Sequence, residues 1–163
     1  MGEVLITKYT DKYREDVIDL ILSIQQKEFN IPITKEDQPD LSNIANFYQS
    51  GDGNFWIALN NGQVVGTIAL INLGNHQGAL RKMFVKAAFR GSRYNVAKSL
   101  LHQLMIWSSE HDLYEIYLGT TEKFLAAHRF YGKNGFVQVN KVLLPETFPI
   151  MQVDTSFYKL KIE

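Results

Sequence analysis

The chain contains no cysteine. That excludes disulfides, a thiolate nucleophile and any Cys-ligated metal, and it suits a reducing compartment. It also lacks a surplus of charge: 17 Lys and Arg stand against 17 Asp and Glu, a formal net charge of zero. Binding nucleic acid by broad phosphate neutralisation needs a basic surplus, so that class is set aside. A small anion held at one local site is not. No run approaches the roughly 18 apolar residues of a membrane helix. The opening stretch MGEVLITKYTDKYRED breaks its apolar positions with charges, unlike a signal peptide, and its sixth residue is not the Ser or Thr of a myristoylation signal. The expectation is a cytoplasmic protein with neither a membrane nor a nucleic acid as partner.

What is present points to one domain over residues 1–163, with 45% hydrophobic residues to build a core. VLITKY (4–9) reads as a short strand. Val17, Leu20, Ile21 and Ile24 recur at helical spacing and predict a helix over 12–27. Two prolines make 30–40 a loop, and Leu41–Gln49 a short helix. FWIALNNGQVVGTIALI (55–71) is a hairpin turning at Asn61-Gly62, a dipeptide that accepts positive φ. NLGNHQG (72–78) reads as a loop and ALRKMFV (79–85) as a strand. Val96, Leu100, Leu104 and Trp107 predict a helix over 96–110. A strand over 114–120 precedes a helix over 122–133 that stops at Asn134-Gly135, and strands are expected at 136–144 and 156–162. That order predicts an α/β fold, a mixed sheet with helices on its faces.

FRGSRYNVAKSLL (89–101) places a flexible turn between a strand and a helix. The first N–H groups of a helix lack intrahelical acceptors and point outward with the positive end of the dipole, which makes an anion site. Gly91 allows close approach to the backbone, Asn95 tolerates a left-handed conformation, Ala97 is small, and Arg90 and Arg93 can add charge. No Gly-Lys-Ser/Thr follows, so this is not a P-loop, and Gly-x-Gly-x-x-Gly is absent. A turn that simply ends a strand and caps a helix fits the same letters. A second stretch, LAAHRFYGKNGF (125–136), carries an aromatic pair near a helix end, then an abrupt Asn-Gly stop.

With both stretches in view, the chain resembles the GNAT superfamily of acyl-CoA-dependent N-acetyltransferases over most of residues 4–162. One motif is the Arg/Gln-x-x-Gly-x-Gly/Ala loop after a strand ending in an aromatic-Val pair: here Met83-Phe84-Val85, then Arg90-Gly91 and Asn95-Val96-Ala97. The other is Phe130-Tyr131 with Gly135-Phe136. The resemblance implies a splayed, mostly antiparallel sheet with helices on both faces, and acetyl-CoA as co-substrate with no metal. It implies that the pantetheine pairs with the backbone of Met83, Phe84 and Val85, beside which the sheet opens. The pyrophosphate would be gripped by the loop of Arg90, Gly91, Ser92, Arg93, Tyr94, Asn95, Val96, Ala97 and Lys98. Tyr131 would protonate the departing CoA thiolate as general acid.

Two departures stand out. Ser92, Arg93 and Tyr94 make the loop longer than most members have, and Asn95 replaces a common glycine. Many members also carry a Glu on the strand before the loop as a route for the amine's proton; the matching position here is Ala79. An alkyl amine with a pKa of about 10 is mostly protonated at neutral pH, and only its neutral form attacks a thioester. A water chain can remove the proton; Glu28, His76, Glu122 and His128 are the side-chain candidates, none singled out. The expected function is direct acetyl transfer to a primary amine, a small molecule or a peptide, with a homodimer left open. The rival is a non-catalytic acyl-CoA-binding sensor or regulatory module.

Overall fold

The computed structural model describes residues 3–162. Strand β1 (Leu5–Lys8) is followed by helices α1 (Arg14–Leu22) and α2 (Ile44–Tyr48), then by strands β2 (Asn54–Asn60), β3 (Gln63–Gly74) and β4 (Gln77–Val85). Helix α3 (Val96–Glu110), strand β5 (Glu115–Thr120), helix α4 (Leu125–Lys133) and strands β6 (Val137–Val139) and β7 (Ser156–Lys161) complete the chain. One seven-stranded sheet results, in the order β1-β2-β3-β4-β5-β7-β6. Every neighbouring pair is antiparallel except β4 with β5.

The helices divide between the two faces as their apolar stripes require. Val17, Ile18 and Ile21 of α1, with Ile44 and Tyr48 of α2, bury against Phe55, Ile57 and Ala69 on one face. On the other, Leu100, Leu101 and Leu104 of α3 pack on Trp56, Ala58, Ile68 and Leu80, and Tyr131 of α4 joins them. Burying each such Leu is worth about 1.5–3 kcal/mol. At Gly66 in β3 the helix comes down onto bare backbone: a Cβ there would meet Val96 Cγ1 at 2.9 Å and Leu100 Cδ1 at 3.1 Å.

Helix α3 occupies the predicted span, and β2 and β3 turn at Asn61 and Gly62 with φ of 51° and 78°. Three expectations need correction. The stretch 72–78 is not an open loop: β3 and β4 run on to a two-residue turn at Asn75-His76, both with positive φ (58° and 61°). The strand expected over 136–144 stops at Val139, and Lys141–Leu143 coil into a 3-10 turn with Val142 and Leu143 exposed. The first helix reaches its expected end, but Ser23–Glu28 are wound as a π-helix. Within the 30–40 stretch, Gln38 and Asp40 are buried.

Candidate active site

Strands β4 and β5 pair only over Gln77–Ala79 against Glu115–Tyr117. Beyond Ala79 they part. Met83, Phe84 and Val85 keep β3 on one edge, where Phe84 lies opposite Thr67 and Val85 opposite Gly66, while the other edge has no strand. An unpaired edge offers its N–H and C=O groups to an extended ligand. The expected opening is therefore next to the expected residues.

β4 also carries a bulge, with Lys82 at φ 53° opposite a register shift in β3. Strict alternation would put Lys82 on the α3 face with Leu80. The extra residue turns it over. Leu80, Met83 and Val85 pack on the α3 side, Phe84 packs on the α1–α2 side, and Lys82 reaches Gln38 and Asp40, which lie between α1 and α2.

After β4 the chain turns through Gly91, at φ 94°, and Asn95, at φ 55°, into α3. Asn95 occupies the N-cap position without a side-chain cap bond, so the first amides of α3, at Val96, Ala97 and Lys98, remain available at the positive end of the dipole. The side chain of Val96 is buried against the sheet, so its N–H, not its isopropyl group, is what this residue offers a ligand. Ser92, Arg93 and Lys98 are exposed. The extra loop residues fold on themselves: Tyr94 packs on Phe89 with ring centroids 4.7 Å apart, and Arg93 lies over the Tyr94 ring at 5.3 Å. Arg90 is exposed, yet its guanidinium is engaged by other groups of the chain. Its Nε donates to Val85 O at 2.8 Å, its Nη2 donates to Glu28 Oε1 at 2.8 Å, and its Nη1 bonds Glu28 Oε2.

Helix α4 ends in the expected way, with Gly135 at φ 92° and Phe136 N–H donating to Tyr131 O at 3.0 Å. Tyr131 is 5% exposed, among the rings of Phe130, Phe136 and Tyr158. Its hydroxyl makes no hydrogen bond among the described residues. Burial, helped by the nearby Tyr158, pushes its pKa far above the ordinary tyrosine value, so it holds its proton at neutral pH.

The four base candidates are not brought together. Glu28 is paired with Arg90, whose hydrogen bond holds its carboxyl below the usual range. His76 sits in the distant β3–β4 turn, stacked on Tyr114, with Nδ1 2.9 Å from Asp112 O. Glu122 is exposed. His128 Nε2 lies 3.0 Å from Thr121 O and must carry a proton there, and Nδ1 lies 2.7 Å from Tyr158 Oη. That histidine is a structural link between α4 and β7.

Sequence reasoning missed a buried polar cluster on the α1–α2 side of β4. Lys82 Nζ bonds Gln38 Oε1 and lies 3.6 Å from Asp40 Oδ2. Tyr48 donates to the same Asp40 oxygen at 2.5 Å, and Gln38 and Gln25 exchange side-chain amide bonds of 2.9 and 3.1 Å. Arg81 lies 6.0 Å from the ring centres of both Phe47 and Tyr48 and donates to Met151 Sδ at 3.4 Å; among the described residues no carboxylate pairs with it. Asp154 sits on Gly119 of β5, and burial raises its pKa against the pull of Met151 N–H, Arg81 and Lys82. The one signal in the sequence was a pair of cations, Arg81-Lys82, inside an otherwise apolar strand.

The chain is similar to known proteins in sequence and in fold. Over 107 residues the chain is 35% identical to an N-acetylaspartate synthetase of Xenopus tropicalis, 63% of this chain but 38% of that protein, so it spans about two fifths of that relative's length. A GNAT-family acetyltransferase of Staphylococcus aureus Mu50 superposes with a TM-score of 0.95 at 43% identity, covering 98% of this chain and 99% of the other. An N-acetylglutamate synthase of Neisseria gonorrhoeae, complexed with coenzyme A and N-acetyl-glutamate, has a TM-score of 0.75 at 14% identity over all of this chain and 36% of that one, a likeness of fold alone. Residues 18–136 match the model of the Acetyltransferase (GNAT) family, a span that takes in the parted strands, the loop before α3 and the end of α4; the chain belongs to that family.

Proposed function

We propose that this acetyltransferase moves an acetyl group from acetyl-CoA directly to a primary amine, with Tyr131 as the general acid. The observation that carries the reading is the parting of β4 and β5 after Ala79, beside an uncapped helix N-terminus. Met83, Phe84 and Val85 supply the free strand edge for an extended pantetheine. The turn from Arg90 to Lys98 supplies amides for the pyrophosphate: Gly91 and Asn95 set the path of the chain, and Ser92, Arg93 and Tyr94 form its outer bulge. Arg90 binds the anion only by giving up Glu28, so the main chain does most of the work. The single domain acts in the cytoplasm, and no residue of the set calls for a metal.

Tyr131 stays protonated up to high pH, so it is available to the leaving thiolate. The burial that raises a phenol also raises a thiolate beside it, and the gap between the two sets the cost of the transfer. An acceptor bearing a carboxylate fits the acidic amino-acid product that the N-acetylaspartate synthetase is named for. Arg81, which forms no ion pair among the described residues although Asp154 feels its charge, is the cation to meet it.

The test is thiol release from acetyl-CoA with a panel of amines, run beside calorimetry of CoA binding. Amine-dependent release, strongest with amino acids that carry a second carboxylate, is the expected result. Tight CoA binding with no release for any amine means instead an acyl-CoA sensor that has lost catalysis along with the Glu at position 79.

A further inference from the structure

Ala79 leaves the removal of the amine's proton without a side chain, yet the same face of β4 carries another titratable group. Lys82 stands three residues further on, turned by the bulge toward the α1–α2 side, within the first stretch of β4 that has lost β5. Its side chain is 5% exposed. The charged and titratable groups that face it are Asp40 from the turn Pro39–Ser42, Arg81 from β4 itself, and Asp154 from the segment before β7, with Tyr48 of α2 behind Asp40. Asp154 rests on Gly119, where an added Cβ would come within 2.6 Å of its Oδ2. The cluster thus reaches from β4 to β5 where the strands separate.

Apart from Lys82 itself, two carboxylates, Asp40 and Asp154, face one other cation, Arg81, so burial must outweigh their pull for Lys82 to lose its proton. Asp40 Oδ2 is shared with the Tyr48 hydroxyl at 2.5 Å, which spends part of its capacity as an acceptor. Burial outweighs the pull of Asp40, and the pKa of Lys82 is lowered to about 8. A lysine so placed gives up its proton close to working pH, as a general base must.

We propose that Lys82 is the base that takes the proton from the acceptor's ammonium group, on the face of β4 where Ala79 provides none. The proposal rests on the reading of the chain as an amine acetyltransferase. Neutral Lys82 accepts one proton through its Nζ lone pair and becomes an ammonium. The freed nitrogen lone pair forms the N–C bond to the thioester carbonyl carbon as the C–S bond breaks. The departing thiolate takes a proton from Tyr131, and the second proton lost from the amine nitrogen makes that one good. Lys82 then returns its proton to water. An ammonium and a thioester become an amide, a thiol and one released proton.

The direct measurement is a pH titration of the ligand-free protein labelled with 13C at lysine Cε, followed by NMR. One lysine should titrate near pH 8, and that signal should vanish in Lys82→Arg; lysines that all titrate near 10 or above overturn the proposal. In the assay, Lys82→Arg and Lys82→Met should both lower kcat by about 10³-fold with CoA affinity intact. The acidic limb of the wild-type kcat profile should stay in place when a less basic amine is used. Wild-type kcat in Lys82→Arg would mean a fixed charge, and a limb that follows the amine would mean a water relay; either sinks the proposal alone. If Lys82→Met does not fold, Lys82→Arg and the titration decide. Wild-type protein that releases no thiol with any amine sinks the acetyltransfer reading itself, a distinguishable result.

Discussion

Around Gly91 and Asn95 the groups offered to a ligand are main-chain amides on an exposed turn. Around Lys82 they are buried side chains that meet Gln38 and Asp40. The two regions lie on either side of one strand and are built by different means. Amides at a helix N-terminus tolerate changes of side chain as long as the backbone follows its path. A cluster of Lys82, Asp40, Tyr48 and Gln38 depends on each member, because removing one leaves a buried partner unsatisfied.

That contrast breaks first at Asp40. Asp40→Ala strands the Lys82 ammonium and the Tyr48 hydroxyl, and urea unfolding should show a loss of about 3–5 kcal/mol. A loss below about 1 kcal/mol would mean that water already reaches the cluster and that the two sides are less different than described. Tyr131→Phe comes next. Its hydroxyl makes no hydrogen bond among the described residues, so melting temperature and CoA affinity should hold while kcat falls roughly 10²-fold. A donor with a better thiol leaving group should recover part of that. Wild-type turnover in this variant, with chemistry rate-limiting, removes Tyr131 from the mechanism.

Gly91→Val probes the donor side. No protein atom lies within 4 Å of a Cβ built there, so crowding is not the cost; φ of 94° is. The strain should be about 1–2 kcal/mol, and calorimetry should show weaker CoA binding as the turn shifts. Arg90→Ala should weaken CoA less than Gly91→Val does, since its guanidinium is already held by Glu28. An exposed pair of that kind is worth 1 kcal/mol at most, and less in salt. The Glu28 carboxyl is depressed in the folded protein, so its small contribution is present above the ordinary value of 4.5 and fades as pH falls through the lowered one. Stability of Glu28→Gln against wild type at pH 7 and pH 3 measures it.

The same contrast explains what the sequence disclosed. Helix α3 was legible because Val96, Leu100 and Leu104 repeat at 3.6 residues, and the turns at Asn61-Gly62 and Asn134-Gly135 because their residue types announce positive φ. The 72–78 turn was hidden because one of its two central residues is His76, which is not a customary turn former. Val142 and Leu143 read as strand because they are apolar, yet they lie exposed on a 3-10 turn. Gln25, Gln38 and Asp40 have no period: they meet through contacts 13 and more residues apart, and hydrophilic letters among two prolines look like a solvated loop. Lys82 was hidden twice, once as a surface-type residue and once by a bulge that reverses the alternation of its strand.

Gly66 has no side chain to bind or react, yet it fixes how closely α3 can approach β3. The amides at the start of that helix inherit their height above the sheet from the side chain that Gly66 lacks. A methyl group there forces Val96 Cγ1 and Leu100 Cδ1 to give way and lifts the first turn of α3 relative to the strand edge at Val85. In Gly66→Ala, KM for the acyl donor should rise while KM for the amine stays put, although residue 66 touches neither molecule.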